Sequence, residues 1–168
     1  MSAAVILLAL VTLERLAELW LAHSNTRALL ARGAFEVAPE HYLVIVLLHA
    51  FWLGGLWLLG WSNPLNLAWV AAFVALQGLR IWVLMTLGRR WTTHIIILPG
   101  APLMTAGPYR YLAHPNYAIV IGEIAVLPLC LGLPWYALAF SAANAAILAI
   151  RIRSENAALG GLRHVATP

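Results

Sequence analysis

Residues His114 to Asn156 read HPNYAIVIGEIAVLPLCLGLPWYALAFSAANAAILAIRIRSEN. Two apolar runs, Pro115–Leu131 and Pro134–Ile150, are each roughly 17 residues long, enough to cross a hydrocarbon core as a helix. Only the turn "GLPW" parts them, so they must fold back on each other as an antiparallel helical hairpin. Polar blocks flank the hairpin on both sides. That pattern sets the fold class: an all-α protein whose helices live in a bilayer.

Three more runs of spanning length lie upstream, about Ser2–Ala22, Tyr42–Trp61 and Leu65–Leu87. The reading therefore predicts five transmembrane helices in one domain, 1–168. "WSNPLN" separates the second from the third and puts Pro64 near the start of a helix, where its missing N–H does no harm. Composition agrees. The 168 residues are 63% hydrophobic and 10% charged, with a mean hydropathy of +0.87. Soluble domains carry about 25% charged residues, and a chain this short cannot enclose so much apolar surface. The early Glu14 and Glu18, and the lack of a basic leader, mark the first run as a membrane helix rather than a cleaved signal. Cys130, the single cysteine, falls in an apolar run and reads as packing. Trp52, Trp57 and Trp61 read as an aromatic belt.

The ten basic residues are all arginine and the six acids all glutamate, giving a net charge of +4. Nucleic acid is not the expected partner; basic loops of a membrane protein face anionic headgroups. Arg27 and Arg32 fall in the first loop, Arg89, Arg90 and Arg110 in the third, and Arg151, Arg153 and Arg163 in the tail. The second loop and the hairpin turn have none. This alternation places the first loop, third loop and C-terminus in the cytoplasm, and the N-terminus outside.

Ionisable groups inside a span face a partner or a wet cavity. Glu14, Arg15, Glu18, Gln77, Arg80, Glu123 and Asn144 fall within spans. At 1.5 Å per residue, Arg80 and Glu123 both lie ~10 Å from the cytoplasmic ends of their helices, with Glu14 and Asn144 at similar depth. Four helices thus contribute to one polar layer. It is either a structural Arg80–Glu123 or Arg80–Glu14 pair, or the floor of a substrate cavity.

The third loop, "GRRWTTHIIILPGAPLMTAGPYRYLAHPNY", is too long and too well punctuated for a mere connector. Pro115 opens the fourth helix, whose N-terminus suits an anionic group. Arg110 adds charge, and Tyr109, Tyr111 and Tyr117 add hydroxyls and flat faces. Arg151 and Glu155, four apart, share a helix face on the same side of the membrane.

Taken together, "GPYRYLAHPNY", a Gly-Glu pair inside the next helix, the hairpin and "RIRSEN" resemble the signature of the isoprenylcysteine carboxyl methyltransferase family. The resemblance covers about Trp91 to Leu159 and is closest to the short bacterial branch, some of whose members methylate lipophilic polyketides such as alkylpyrones. It implies an enzyme of a bacterial inner membrane that uses S-adenosylmethionine to methylate an oxygen of a lipophilic, membrane-dissolved acceptor, a carboxylate or a phenol or enol. The cofactor part would span about 88–160. Tyr109, Arg110, His114, Pro115, Asn116 and Tyr117, with Glu155 and Asn156 closing from the tail, become the cofactor residues. Arg151 is carried over beside them, and Glu123 and His94 are the candidates for a base. No metal is expected. The chain departs from the family pattern at Ala113, commonly Arg, and at Asn156, commonly Glu, and it lacks the aromatic tail segment of longer members. Two other functions fit the same residues: a non-catalytic lipid-binding scaffold, and an NADPH-dependent enzyme similar to sterol reductases.

Overall fold

A computed structural model of the chain describes residues 2–165. It contains five long helices: α1 (Ala3–Leu30), α2 (Glu40–Gly60), α3 (Leu67–Leu87), α4 (Pro115–Cys130) and α5 (Pro134–Val165). Three stretches are long and apolar enough to cross a membrane: Tyr42–Gly60, Leu67–Arg90 and Pro134–Ala157. Helix α4 is apolar but shorter, and α1 carries Glu14, Arg15 and Glu18 in its middle. Leu43, Leu58, Leu67 and Leu138 are all more than half exposed, the outward face expected of helices bathed in hydrocarbon.

Two helices run further than their apolar stretches. The expected first span ends at Ala22, yet α1 continues through "HSNTRALL" to Leu30. No Gly or Pro interrupts it, and the chain turns only at Gly33, with φ 85°. Arg27, expected in the first loop, therefore lies in the last turn of α1. Helix α5 likewise passes Ile150 and carries "RIRSEN" as part of the same rod. Hydropathy measures how much helix is oily, not how much is helix. Pro64 lies just before α3, near its start as expected, and Asn66 is the N-cap, its side chain accepting from Ala68 N at 3.1 Å.

The α4–α5 hairpin turns at Gly132, φ 69°, and the segment between α2 and α3 closes under it. Asn63 Nδ2 donates to Leu131 O at 2.8 Å, and Asn66 N to Cys130 O at 2.9 Å. These bonds satisfy carbonyls that the end of α4 leaves free. Above them lies a core of Leu8, Leu56, Ile124, Leu127 and Leu131, all at most 1% exposed. Trp52 belongs to that core at 3% exposed, and Trp57 packs on it while its indole N–H donates to Thr12 Oγ1 at 3.0 Å. Only Trp61 of the expected aromatic belt is exposed; the other two face inward because they share the buried stripe of α2 with Leu56. Gly122 lets α3 and α4 approach closely: a Cβ there would lie 2.9 Å from Leu76 Cδ2.

The long third loop contains an element that periodicity did not indicate. Phe35–Glu36 (β1) in the first loop pairs antiparallel with Ile96–Ile97 (β2), in register Phe35↔Ile97 and Glu36↔Ile96. Val37 N adds a bond to Ile95 O at 2.9 Å. The extension of α1 reinforces this junction, Asn25 Nδ2 donating to Trp91 O at 2.8 Å and to Gly88 O at 3.3 Å. The first and third loops are thereby fastened into one cap at the end of the bundle where α4 begins.

Candidate active site

A cavity of about 720 Å³ lies under that cap, within the range typical of small-molecule sites. Its walls come from α1, α2, α3, the third loop, the start of α4 and α5.

The polar wall is built around Tyr117, in the first turn of α4. Its hydroxyl donates to Glu155 Oε2 at 2.6 Å and accepts from Arg151 Nε at 3.1 Å. The Arg151 guanidinium also lies 5.9 Å from the centre of the Tyr117 ring, and its Nη2 donates to the Thr93 carbonyl. Arg151 is only 6% exposed; a buried guanidinium persists only when charge and donors are both met. His114 stacks on Tyr117 with ring centres 5.2 Å apart, its Nε2 3.3 Å from Asn156 Oδ1 and its Nδ1 3.7 Å from Glu155 Oε2. The helical spacing of Arg151 and Glu155 therefore aims both at one tyrosine. Asn116, also on the cavity wall, keeps Oδ1 buried without a hydrogen-bond partner among the described residues. Tyr109 lines the same end. Burial, with the Glu155 carboxylate adding to it, pushes its phenol up to about 12, so at neutral pH it is a hydrogen-bond donor and not a base.

Gly107 starts the 3₁₀ turn that presents Tyr109. Its φ is 56°, and a Cβ there would run into the Thr86 side chain, 3.0 Å from Cγ2 and closer still to Oγ1. Glycine is required on both counts.

The structure brings Tyr109, His114, Asn116, Tyr117, Arg151, Glu155, Asn156 and His94 to this one cavity. Three expected site residues lie off its walls. Arg110 is exposed on the outside of the 3₁₀ turn, and Pro115 is buried at the first position of α4. Glu123 is 4% exposed and enclosed by donors. Arg80 Nε reaches its Oε1 at 2.8 Å while Arg80 Nη2 meets Oε2, Gln77 Nε2 donates at 2.9 Å, and Arg15 Nη2 at 3.2 Å. Glu123 is thus held by four donors, three on Oε1 and one on Oε2, from α1 and α3.

The buried polar layer joins three helices. Arg80 also bonds Glu18 Oε1 at 3.1 Å, and Arg15 bonds Glu18 Oε2 at 2.7 Å. The partner from α1 is thus Glu18; among the described residues Glu14 pairs with Arg15 alone, at 3.5 Å. Asn144 of α5 is buried, but its Nδ2 has no partner among the described residues. Arg15, Glu18, Arg80 and Asn144 nonetheless line the cavity, so the layer both ties the bundle and forms the cavity floor.

Neither residue that contacts the His94 ring was signalled by any motif; Tyr42 lines the cavity and Glu36 does not. Glu36 accepts from His94 Nδ1 at 2.7 Å. Tyr42 stacks on the His94 ring at 3.7 Å, and its hydroxyl lies 3.5 Å from Thr93 Oγ1. The only trace of Glu36 in the sequence is that it is one of six carboxylates. His94 and Glu36 meet through the β1–β2 pairing. Leu16, Leu19, Ile45, Val46 and Leu53 of α1 and α2 add apolar surface to the wall.

Residues 69–160 match the Isoprenylcysteine carboxyl methyltransferase (ICMT) family. The chain is 35% identical over 159 residues to the uncharacterized protein YpbQ of Bacillus subtilis, covering 92% of this chain and 95% of that one. It is 27% identical over 155 residues to an uncharacterized protein of Haemophilus influenzae, covering 82% and 84%. No solved structure matches it.

Proposed function

The chain belongs to the isoprenylcysteine carboxyl methyltransferase family, and from that premise we propose that it is a bacterial inner-membrane methyltransferase that uses S-adenosylmethionine to methylate an oxygen of a lipophilic acceptor dissolved in the bilayer. One observation carries the reading: a single cavity is lined by polar side chains from the start of α4 and the end of α5, and by Leu16, Leu19, Ile45, Val46 and Leu53 of α1 and α2, its apolar arm.

The polar end suits a charged nucleoside. The Glu155 carboxylate is a partner for an ammonium or a ribose diol. Asn116 Oδ1 is a buried acceptor still in want of a donor, and such an atom is costly unless a ligand supplies one. His114 and Tyr109 offer flat faces and N–H or O–H groups for a base. His114 makes no side-chain cap on α4, which leaves that helix N-terminus to act on a carboxylate. The bound cofactor would supply an electrophilic methyl group on a positively charged sulfur.

The protein's own part is chiefly alignment. Arg151 locks Tyr117 and the Thr93 carbonyl into one unit, so the α4 start, the third loop and the tail keep a fixed spacing. The apolar arm orients the acceptor and excludes water, which favours a step in which opposite charges cancel. Leu16 and Leu19 line the cavity yet are 59% and 43% exposed. This favours a mouth on the outer face of α1, through which a lipid enters sideways. The arginine distribution supports the orientation with the cap and the end of α5 in the cytoplasm, where the cofactor is made.

Calorimetry with S-adenosylhomocysteine on the purified protein in detergent tests the proposal. The wild type binds, and Glu155→Ala and His114→Ala lose that binding while remaining folded. Absence of binding by well-folded wild-type protein defeats it.

A further inference from the structure

We propose that His94 and Glu36 form a catalytic dyad, with His94 Nε2 as the base that deprotonates the acceptor and Glu36 as the residue that positions it. Such a base would serve the hydroxyl acceptors, phenol or enol, that the family resemblance already includes; a carboxylate needs none. The dyad rests on the methyl-transfer reading and adds a positioning residue to that same cavity.

Three observations converge on it. First, His94 Nδ1 is held 2.7 Å from Glu36 Oε1. An imidazole that donates from Nδ1 to a carboxylate presents its lone pair at Nε2, and the carboxylate stabilises the imidazolium formed when Nε2 takes a proton. Second, the ring cannot swing away. Tyr42 stacks on it at 3.7 Å, Thr92 Oγ1 donates to the His94 carbonyl at 2.7 Å, and the Glu36↔Ile96 register fixes the distance between the two strands. Such doubly supported side chains are what a precise proton transfer demands. Third, His94 lies on the cavity wall. Thr93, its neighbour in the chain, is bonded through its carbonyl to Arg151, the hub of the polar end, while Ile45 and Val46 line the apolar arm near Tyr42. An acceptor lying along that arm would bring its oxygen to the wall where His94 waits.

The chemistry decides between acceptors. A carboxylate is ionised at neutral pH and gains nothing from a base. A hydroxyl must lose its proton, and a positioned base contributes roughly 10²–10⁴-fold. In the step, the acceptor O–H proton moves to His94 Nε2 and the oxygen pair forms the new C–O bond. The C–S bond breaks with its electrons left on sulfur, which becomes a neutral thioether. The imidazolium then releases its proton to water. Among the described residues, Glu36 and Tyr42 contact the ring, and Arg151 bonds the neighbouring Thr93 carbonyl.

Two measurements test the dyad. A nitrophenol bearing an alkyl chain is titrated into protein without cofactor, and the phenolate absorbance is followed against pH. Wild-type protein is expected to bind the probe as phenolate at a pH where His94→Gln and Glu36→Gln bind it as the neutral phenol. Methylation of an alkylphenol is then followed across pH. His94→Gln is expected to lose roughly 10²–10⁴ in kcat with little change in KM, and Glu36→Gln to lose less and shift the pH profile. Glu36→Asp should recover part of the loss. Variants that bind S-adenosylhomocysteine as the wild type does, but keep its kcat, pH profile and phenolate signal, would overturn the dyad and leave the methyltransferase reading standing. Loss of S-adenosylhomocysteine binding by the wild type would instead sink the reading beneath it.

Discussion

Tyr117 and Glu155, 38 positions apart in the chain, meet at 2.6 Å with the tyrosine donating, and Arg151 donates to the same hydroxyl from the other side. One phenol thus holds together the first turn of α4 and the last third of α5. Removing it should loosen the polar end without unfolding the bundle. Tyr117→Phe removes the hydroxyl that both Glu155 and Arg151 bond, and hydrogen bonds to charged groups are worth about 1.5–3 kcal/mol. Affinity for S-adenosylhomocysteine should fall roughly ten- to hundredfold, read by calorimetry, with the helical circular-dichroism signal unchanged.

The buried layer makes a prediction about stability. Breaking a buried ion pair by removing one partner costs about 3–5 kcal/mol, whereas replacing both partners by apolar groups costs far less. Arg80→Met alone should therefore lower the thermal unfolding midpoint in detergent sharply, because Glu123 and Glu18 lose their common guanidinium. Combining Arg80→Met with Glu123→Met should restore much of the loss, since Arg15 still pairs with Glu18. A double variant that falls by the sum of the two single losses would contradict the pairing.

Gly107 should not tolerate a side chain. With φ at 56° and the Thr86 side chain standing where a methyl group would go, Gly107→Ala forces strain of about 1–3 kcal/mol into the turn that carries Tyr109. The expected result is weaker cofactor-product binding and faster proteolysis of the third loop. Pairing it with Thr86→Ala should relieve the steric part and leave the conformational part.

Orientation can be read with labels. In a Cys130→Ala background, cysteines are placed at exposed Ser62 and exposed Arg89. Ser62→Cys should react with an impermeant maleimide added outside intact cells, and Arg89→Cys only after the membrane is opened. The reverse pattern would put the cap on the wrong side for a cytoplasmic cofactor.

Much was legible in the residues alone. Whether a segment can cross a bilayer depends on its own length and oiliness, which are local properties. The five helices and the tight α4–α5 turn therefore stand in the sequence. So does the approach of "HPNY" to "RIRSEN": so short a turn leaves the outer ends of a hairpin nowhere to go but beside each other. The spacing of Arg151 and Glu155 likewise fixed that they share a face.

What only the tertiary structure decided are the relations between segments that no local rule connects. Glu36 and His94 are 58 positions apart, and nothing in either neighbourhood names the other. They meet because two short strands in separate loops found each other's free backbone groups. The burial of Trp52, the choice of Glu18 over Glu14 by Arg80, and the enclosure of Glu123 depend in the same way on how the helices are rotated about their axes. In a chain that is apolar on nearly every face, hydrophobic periodicity cannot reveal that rotation. It is set by the few polar side chains that must find one another in a medium offering them no water.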